Sequence, residues 1–163
     1  MLKHFAALSI GLGVFAMPAL AQDATAIAKV QSGQSCPGCN LFQADLSYRE
    51  GRKMNLSSAR LRQSDLSLAT YDDVNLTGAN LSVANLFGAR FNRANFKDAN
   101  LENATAVGTF FGASNLSGAN LSGANLSGAD LKIARGLSQA QLNSACGDAS
   151  TKLPSGKTIP SCS

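Results

Sequence analysis

Large apolar residues recur at every fifth position from Leu41 to Leu131. Of these 19 positions, 13 are Leu, three are Phe (Phe91, Phe96 and Phe111) and one is Tyr71; only Gly51 and Ala106 break the series. The residue two places earlier is small, Ala at 12 of the 19, and the residue one place earlier is Asn at ten and Asp at three. No insertion disturbs this register over 91 residues. A period of five suits neither regular element. In an α-helix five residues rotate by about 500°, so successive Leu drift round the surface. In a strand an odd period sends alternate Leu to opposite faces. A coil that turns a corner every five residues avoids both conflicts: each side buries one large and one small residue, and Asn tolerates the corner conformations.

The run Asn115-Leu-Ser-Gly-Ala-Asn-Leu-Ser-Gly-Ala-Asn-Leu-Ser-Gly-Ala-Asp-Leu131 shows the repeat nearly pure. It resembles the pentapeptide-repeat family, whose motif is A-(D/N)-L-x-x, and the resemblance spans Cys39 to Ile133. It implies an all-β chain: a right-handed quadrilateral β-helix with four pentads per coil, nearly five coils and short helical caps. At a strand spacing of about 4.8 Å the rod is roughly 24 Å long. Residues twenty apart then stack. Side one carries Leu41, Leu61, Leu81, Leu101 and Leu121; side two Leu46, Leu66, Leu86, Ala106 and Leu126; side three Gly51, Tyr71, Phe91, Phe111 and Leu131; side four Leu56, Leu76, Phe96 and Leu116. This predicts an interior aromatic column of Tyr71, Phe91 and Phe111, an Asn file of Asn55, Asn75, Asn95 and Asn115, and alternating charges at Lys53, Asp73 and Arg93. The weak pentads around Gly51, where Arg49 and Met54 replace Ala, predict an irregular first coil with Arg49 outside.

Four segments follow. Residues 1–21 read as a secretory signal peptide: basic Lys3, an apolar run from Phe5 to Met17, and Ala19-Leu20-Ala21 as cleavage signal. Residues 22–35 form an N-terminal cap, with a short helix between Asp23 and Gln31. The array occupies 36–135. In 136–163, Ser138 caps a helix to about Ala145, with Leu137 and Leu142 facing the last coil, before a tail closed by a disulfide. Open solenoid ends need such cover. No transmembrane segment is expected in the mature chain, which is periplasmic or extracellular. Four Cys in an exported chain point to two disulfides. In the rod that the resemblance implies, the ends are about 20 Å apart, beyond disulfide reach, so the pairs are Cys36–Cys39 and Cys146–Cys162. Cys36-Pro-Gly-Cys39 lacks the following His of a haem attachment site, since Asn40 stands there, and no βαβ unit surrounds it.

Composition removes several function classes. Aromatic residues make up 6% and Trp is absent, which a Leu/Ala pentad core explains. The single His lies in the leader. No nucleophile with an adjacent base is visible, so no catalytic residue, cofactor or metal site is expected. The formal charge of +4 is local: Arg49, Arg52, Lys53, Arg60 and Arg62 face only Glu50 within 49–62. That cluster is a candidate patch for an anionic polymer or membrane surface. Side two has apolar outward positions at Tyr48, Leu68, Phe87 and Val107, with Phe110 just past the corner, a candidate surface for a protein partner or a homodimer. The primary expectation is an exported structural or protein-interaction module. Acidic DNA mimicry toward topoisomerases, known in the family, is disfavoured by export and by the basic balance, and nucleic acid is an unlikely partner.

Overall fold

The computed structural model describes residues 22–162, so the expected leader 1–21 lies outside the described residues. Parallel backbone pairs join residues twenty apart: Asn40 to Arg60, Arg60 to Asn80, Asn80 to Asn100 and Asn100 to Asn120 along side one, and Asn55, Asn75, Asn95, Asn115 and Arg135 in succession along side four. Four pentads therefore make one coil. The ladder is repetitive. Leu61 N donates to Asn80 O at 2.7 Å, and Asn80 N donates back to Ala59 O at 2.9 Å. Each Asn also shapes its own corner, as Asn55, Asn80, Asn120 and Asn125 show: the side-chain Oδ1 accepts from the backbone N–H two residues on, at 3.0–3.1 Å. This Asx turn is the physical reason for Asn before the central Leu. The corner itself is left-handed, with φ between 53° and 59° at twelve non-glycine residues.

The small and large positions of the array are buried apart from Cys39 and Arg49, and the hydroxyls that take Ala slots each reach a backbone carbonyl. Ser64 Oγ donates to Leu61 O, Ser114 Oγ to Phe111 O and Thr109 Oγ1 to Leu86 O. Tyr71, Phe91 and Phe111 form the interior column, with successive ring centroids 6.2 and 6.0 Å apart. Phe96 joins it from side four, edge-on to Phe91 at 5.0 Å and to Phe111 at 5.6 Å. The bulge expected around Gly51 is absent, and the corner at Lys53 has φ 55° like the others. Strand β1 (Glu50–Arg52) pairs in register with β2 (Thr70–Asp72), Gly51 opposite Tyr71, without a bulge. The side chain missing at Gly51 is supplied from elsewhere: a Cβ there would collide with Met54 Sδ and stand 2.9 Å from Tyr71 Cε1. Arg49 is exposed, whereas Met54 is buried.

The two ends are closed differently. Helix α1 (Ala24–Gln31) is N-capped by Asp23 and buries Ala26 and Val30 on the first coil. Side chains finish the edge: Gln31 Nε2 donates to Asp45 O, Gln22 Nε2 to Gln43 O, and Asn55 N to Ser35 Oγ. At the other end the tail continues the ladder itself, Cys146 pairing with Asn125 and Lys152 with Asp130. Helix α2 (Gln139–Asn143) begins with a capping box between Ser138 and Gln141. Gln141 Nε2 then caps the carbonyls of Leu116 and Ala119, and Leu142 is buried. Disulfides join Cys36 to Cys39 and Cys146 to Cys162, with Cα separations of 5.6 and 4.8 Å. Among the described residues no helix is long and apolar enough to cross a membrane.

Two predictions follow from this packing. The Tyr71 hydroxyl is buried without a hydrogen-bond partner, and burial pushes its phenol up to about 12. Tyr71→Phe is expected to hold or raise stability at neutral pH, by up to about 1 kcal/mol, because an orphan hydroxyl is removed. Above pH 10 the unfolded chain loses the phenol proton while the folded chain keeps it, so wild-type stability falls as pH rises, by about 1 kcal/mol at pH 11. Denaturant unfolding of both proteins at pH 8 and pH 11 reads this difference. Gly136 has φ +75, and a Cβ would stand 2.8 Å from Ser117 N and 2.9 Å from its Cα; Gly108 has φ +65 and open space. Gly136→Ala is expected to cost about 2–3 kcal/mol and Gly108→Ala about 1 kcal/mol in thermal unfolding.

Candidate partner surface

Side two departs from the polar pattern of the rod. Tyr48 is 73% exposed, Phe87 50% and Leu68 43%, and Val107 is half-buried below Phe87 in the same vertical file. Tyr48 and Leu68 occupy left-handed corners at φ 56° and 57°. The same corner in the following coils is Gly88, Gly108 and Gly128, all with positive φ. Leu68 leans onto the first of these: its Cδ2 lies 2.7 Å from where a Cβ of Gly88 would be. The strip has margins of opposite charge, Asp45 and Asp65 on one edge and Arg49 and Arg90 on the other. The Asp45 carboxyl is held below the usual range, chiefly by the hydrogen bond from Ser47 Oγ at 2.6 Å and by the Ser47 N–H. Val83 on side one and Ile133 on side three are also exposed, but singly.

Phe110 does not extend the strip. Its half-buried ring folds back over Gly112, where a Cβ would collide with Cζ, and Arg90 lies over it at 5.5 Å from the ring centre.

The basic cluster of the sequence is not one surface. Arg49, Arg52 and Lys53 lie at the start of side three, whereas Arg60 and Arg62 belong to side one, the opposite wall of a four-sided coil. Arg52 is further engaged with Asp73 at 4.0 Å, and Arg93 grips the same carboxylate bidentately at 2.7 Å through Nε and NH2. Arg52, rather than Lys53, is thus the upper member of the alternating column. The Arg93 hydrogen bonds hold the Asp73 carboxyl below its usual range. Asp72 is paired with Arg90 at 3.1 Å, so neither neighbouring carboxylate is free to take a cation. Among the described residues there is no free cysteine, and no group of three His, Cys, Asp or Glu converges on a common point.

Because the strip's side chains point into solvent from corners where glycine is the easier residue, removing one is expected to be harmless to the fold. Leu68→Gly should change folding stability by no more than about 1 kcal/mol, since relief of the left-handed backbone offsets lost contact with Gly88. Thermal unfolding of Leu68→Gly beside Leu66→Ala, a buried neighbour expected to lose about 2–5 kcal/mol, makes the comparison.

The pentads match the family described as pentapeptide repeats (8 copies) over residues 55–93 and 94–132. Among solved structures the chain is similar to HetL, a pentapeptide repeat protein involved in heterocyst differentiation regulation in the cyanobacterium Nostoc. Identity is 24%, with 78% of this chain and 60% of that chain covered, at a TM-score of 0.58. The chain thus spans three fifths of the length of HetL. It is also similar to a second Nostoc pentapeptide repeat protein, at 26% identity over 84% of this chain and 88% of the other, TM-score 0.48. QnrB1, a plasmid-mediated fluoroquinolone resistance protein, is similar at 19% identity over 78% and 83%, TM-score 0.39. No curated protein matches the chain. The continuous matches in the fivefold register show that the chain belongs to the pentapeptide-repeat family, and the likeness of its coil to HetL shows that it folds as a right-handed β-helix solenoid.

Proposed function

We propose that this protein is an exported, non-enzymatic structural and protein-interaction module, a quadrilateral rod of nearly five coils that presents side two to a protein partner. The observation that carries the reading is the exposed strip of Tyr48, Leu68 and Phe87 on a surface whose other outward positions are mostly Ser, Gly, Asn or charged. Apolar groups gathered on one wall favour a partner site over scattered tolerance. Residues 1–21 act as the export leader, 22–35 as the N-terminal cap, 36–135 as the array and 136–163 as the closing tail. The two disulfides fit an oxidising compartment, the periplasm or the outside of the cell. Asp45, Asp65 and Ser117 serve corners of the coil, and Asp72, Asp73 and Asp130 serve ion pairs.

Anionic polymer or membrane binding is the second reading. It is narrowed to Arg49, Arg52 and Lys53, because Arg60 and Arg62 face the other way. A DNA-mimicking topoisomerase inhibitor is the least favoured: on side three cations alternate with carboxylates, and the acidic stripe such mimicry needs is not built there. Proximity labelling in the exported compartment tests the first reading. Labelled proteins captured by wild type are expected to be lost with Phe87→Ser and retained with Arg52→Ala/Lys53→Ala. The opposite pattern, together with salt-dependent retention of wild type on heparin, would replace it with the anionic-surface reading.

A further inference from the structure

We infer that side three is a docking face for an anionic lipid bilayer, against which the rod lies flat. This goes beyond the protein-partner reading and rests on the anionic-surface reading, which it commits to one occupant. Residues 22–163 carry thirteen cations against ten carboxylates. Side three and the two corners that bound it hold seven of those cations and four of the carboxylates, whereas the other walls, corners and caps hold six of each. The whole formal excess of +3 therefore belongs to one wall. Ion pairs consume the middle of it: Asp72 holds Arg90, Asp73 holds Arg93 and Asp130 holds Lys152. Arg52 reaches Asp73 only at 4.0 Å, on a carboxylate that Arg93 already grips. The excess is left at the two ends of the wall. Arg49, Arg52 and Lys53 stand beside Glu50 on the first coil and Lys132 on the last, all exposed.

The exposed apolar groups border the same wall. Five large apolar residues are exposed among the described residues, and four of them, Tyr48, Leu68, Phe87 and Ile133, lie at its two corners. At each end such a residue is the chain neighbour of a cation left over from the ion pairs: Tyr48 of Arg49, and Ile133 of Lys132. The two pairs occupy opposite corners, four coil steps or about 19 Å apart along the rod. A flat surface laid on side three meets both. A bilayer offers that surface: its interfacial zone admits an apolar group, and its headgroups take the cation beside it. Tyr48, 73% exposed, has the apolar body and polar tip that suit this depth. A soluble polyanion would use the cations but leave Tyr48 and Ile133 in water. Asp45 and Asp65, which an anionic surface repels, lie in the bridge file of side two, away from this plane. Phe87 is the first residue of its corner, on the flank toward side two, so a protein partner and the bilayer can approach from adjoining directions. With so small an excess charge and two apolar anchors the attachment is weak, reversible and sensitive to salt.

Co-sedimentation with vesicles tests this, using protein expressed with residues 1–21 and shown by its mass to have lost them. Phosphatidylcholine vesicles holding about 30% phosphatidylglycerol are expected to bind it at about 50 mM salt, and phosphatidylcholine alone at least about tenfold less. Raising the salt to about 300 mM should lower the partition by about tenfold. Each cation near an anionic surface is worth about fivefold, so Arg49→Ser/Lys53→Ser should lose about 10–30-fold. Tyr48→Ser and Ile133→Ser should each lose about 3–10-fold. Arg60→Ser/Arg62→Ser removes the same charge from the opposite wall and should lose no more than about threefold. Thermal unfolding shows that each variant is folded. Equal losses from the two charge pairs overturn the inference, because net charge rather than one wall would then be acting. Vesicle binding indifferent to both Tyr48 and Ile133 overturns it as well. Salt-dependent retention on heparin without vesicle binding also overturns it, and leaves the anionic-surface reading standing with a soluble polyanion as occupant. If neither heparin nor anionic vesicles hold the protein, both fall, and partner labelling through Phe87 is decided separately.

Discussion

The parallel ladder with a repeat of twenty residues is the constraint on which the rest of the molecule depends. Each coil must return to the same place after four corners, or the backbone groups of the next coil have nothing to meet. An unpaired backbone group in a buried wall costs about as much as a lost hydrogen bond. Every residue preference in the pentad serves that closure. Asn supplies an acceptor for the N–H at the corner, the corner takes a left-handed residue, and the small residue lets the next wall begin close to the last. Leu fills what space remains on the axis. In the two tiers that form extended strands, β1 and β2, the residue closing the corner is Met54 or Val74, larger than the Ala or hydroxyl residue of most other pentads.

What the sequence makes legible is whatever this closure forces. The period fixes inward positions, so the Tyr71–Phe91–Phe111 column could be read from spacing alone. The caps were equally readable, because Asp23 and Ser138 are the residues that stop a helix from fraying at its first turn. Less legible was anything decided by where a side chain bends after leaving the backbone. Phe96 reaches the column from another wall. Met54 swings its sulfur into the space that Gly51 leaves. Phe110 turns back onto Gly112 instead of joining Phe87. Arg52 rather than Lys53 meets Asp73, because one residue along the chain changes which way a side chain leaves the corner.

The basic cluster shows the same limit on a larger scale. Five cations within fourteen residues look like one patch only while the chain is imagined as a line. A corner every five residues turns ten residues through half a coil, so Arg52 and Arg62 point to opposite walls. Charge density along a solenoid sequence therefore says little about charge density on its surface. The useful measure is the file of residues twenty apart, and in those files the cations of side three are interleaved with Asp72 and Asp73.

The same division locates function. Inward and corner positions are committed to closing the coil, and the outward positions are the part of each pentad left free. Where an outward or corner residue is Ser, Gly or Asn, its presence is explained by the corner it makes. Tyr48 and Leu68 have no such explanation. They hold bulky apolar groups in solvent, on left-handed backbone, in a corner file that elsewhere uses glycine. Each costs the folded chain backbone strain and buries little in return. Phe87, the turn residue next to that file, joins them on the same edge of the rod. Strain without a folding return, concentrated on one surface, is what a contact beyond the single chain would leave in a structure otherwise governed by closure.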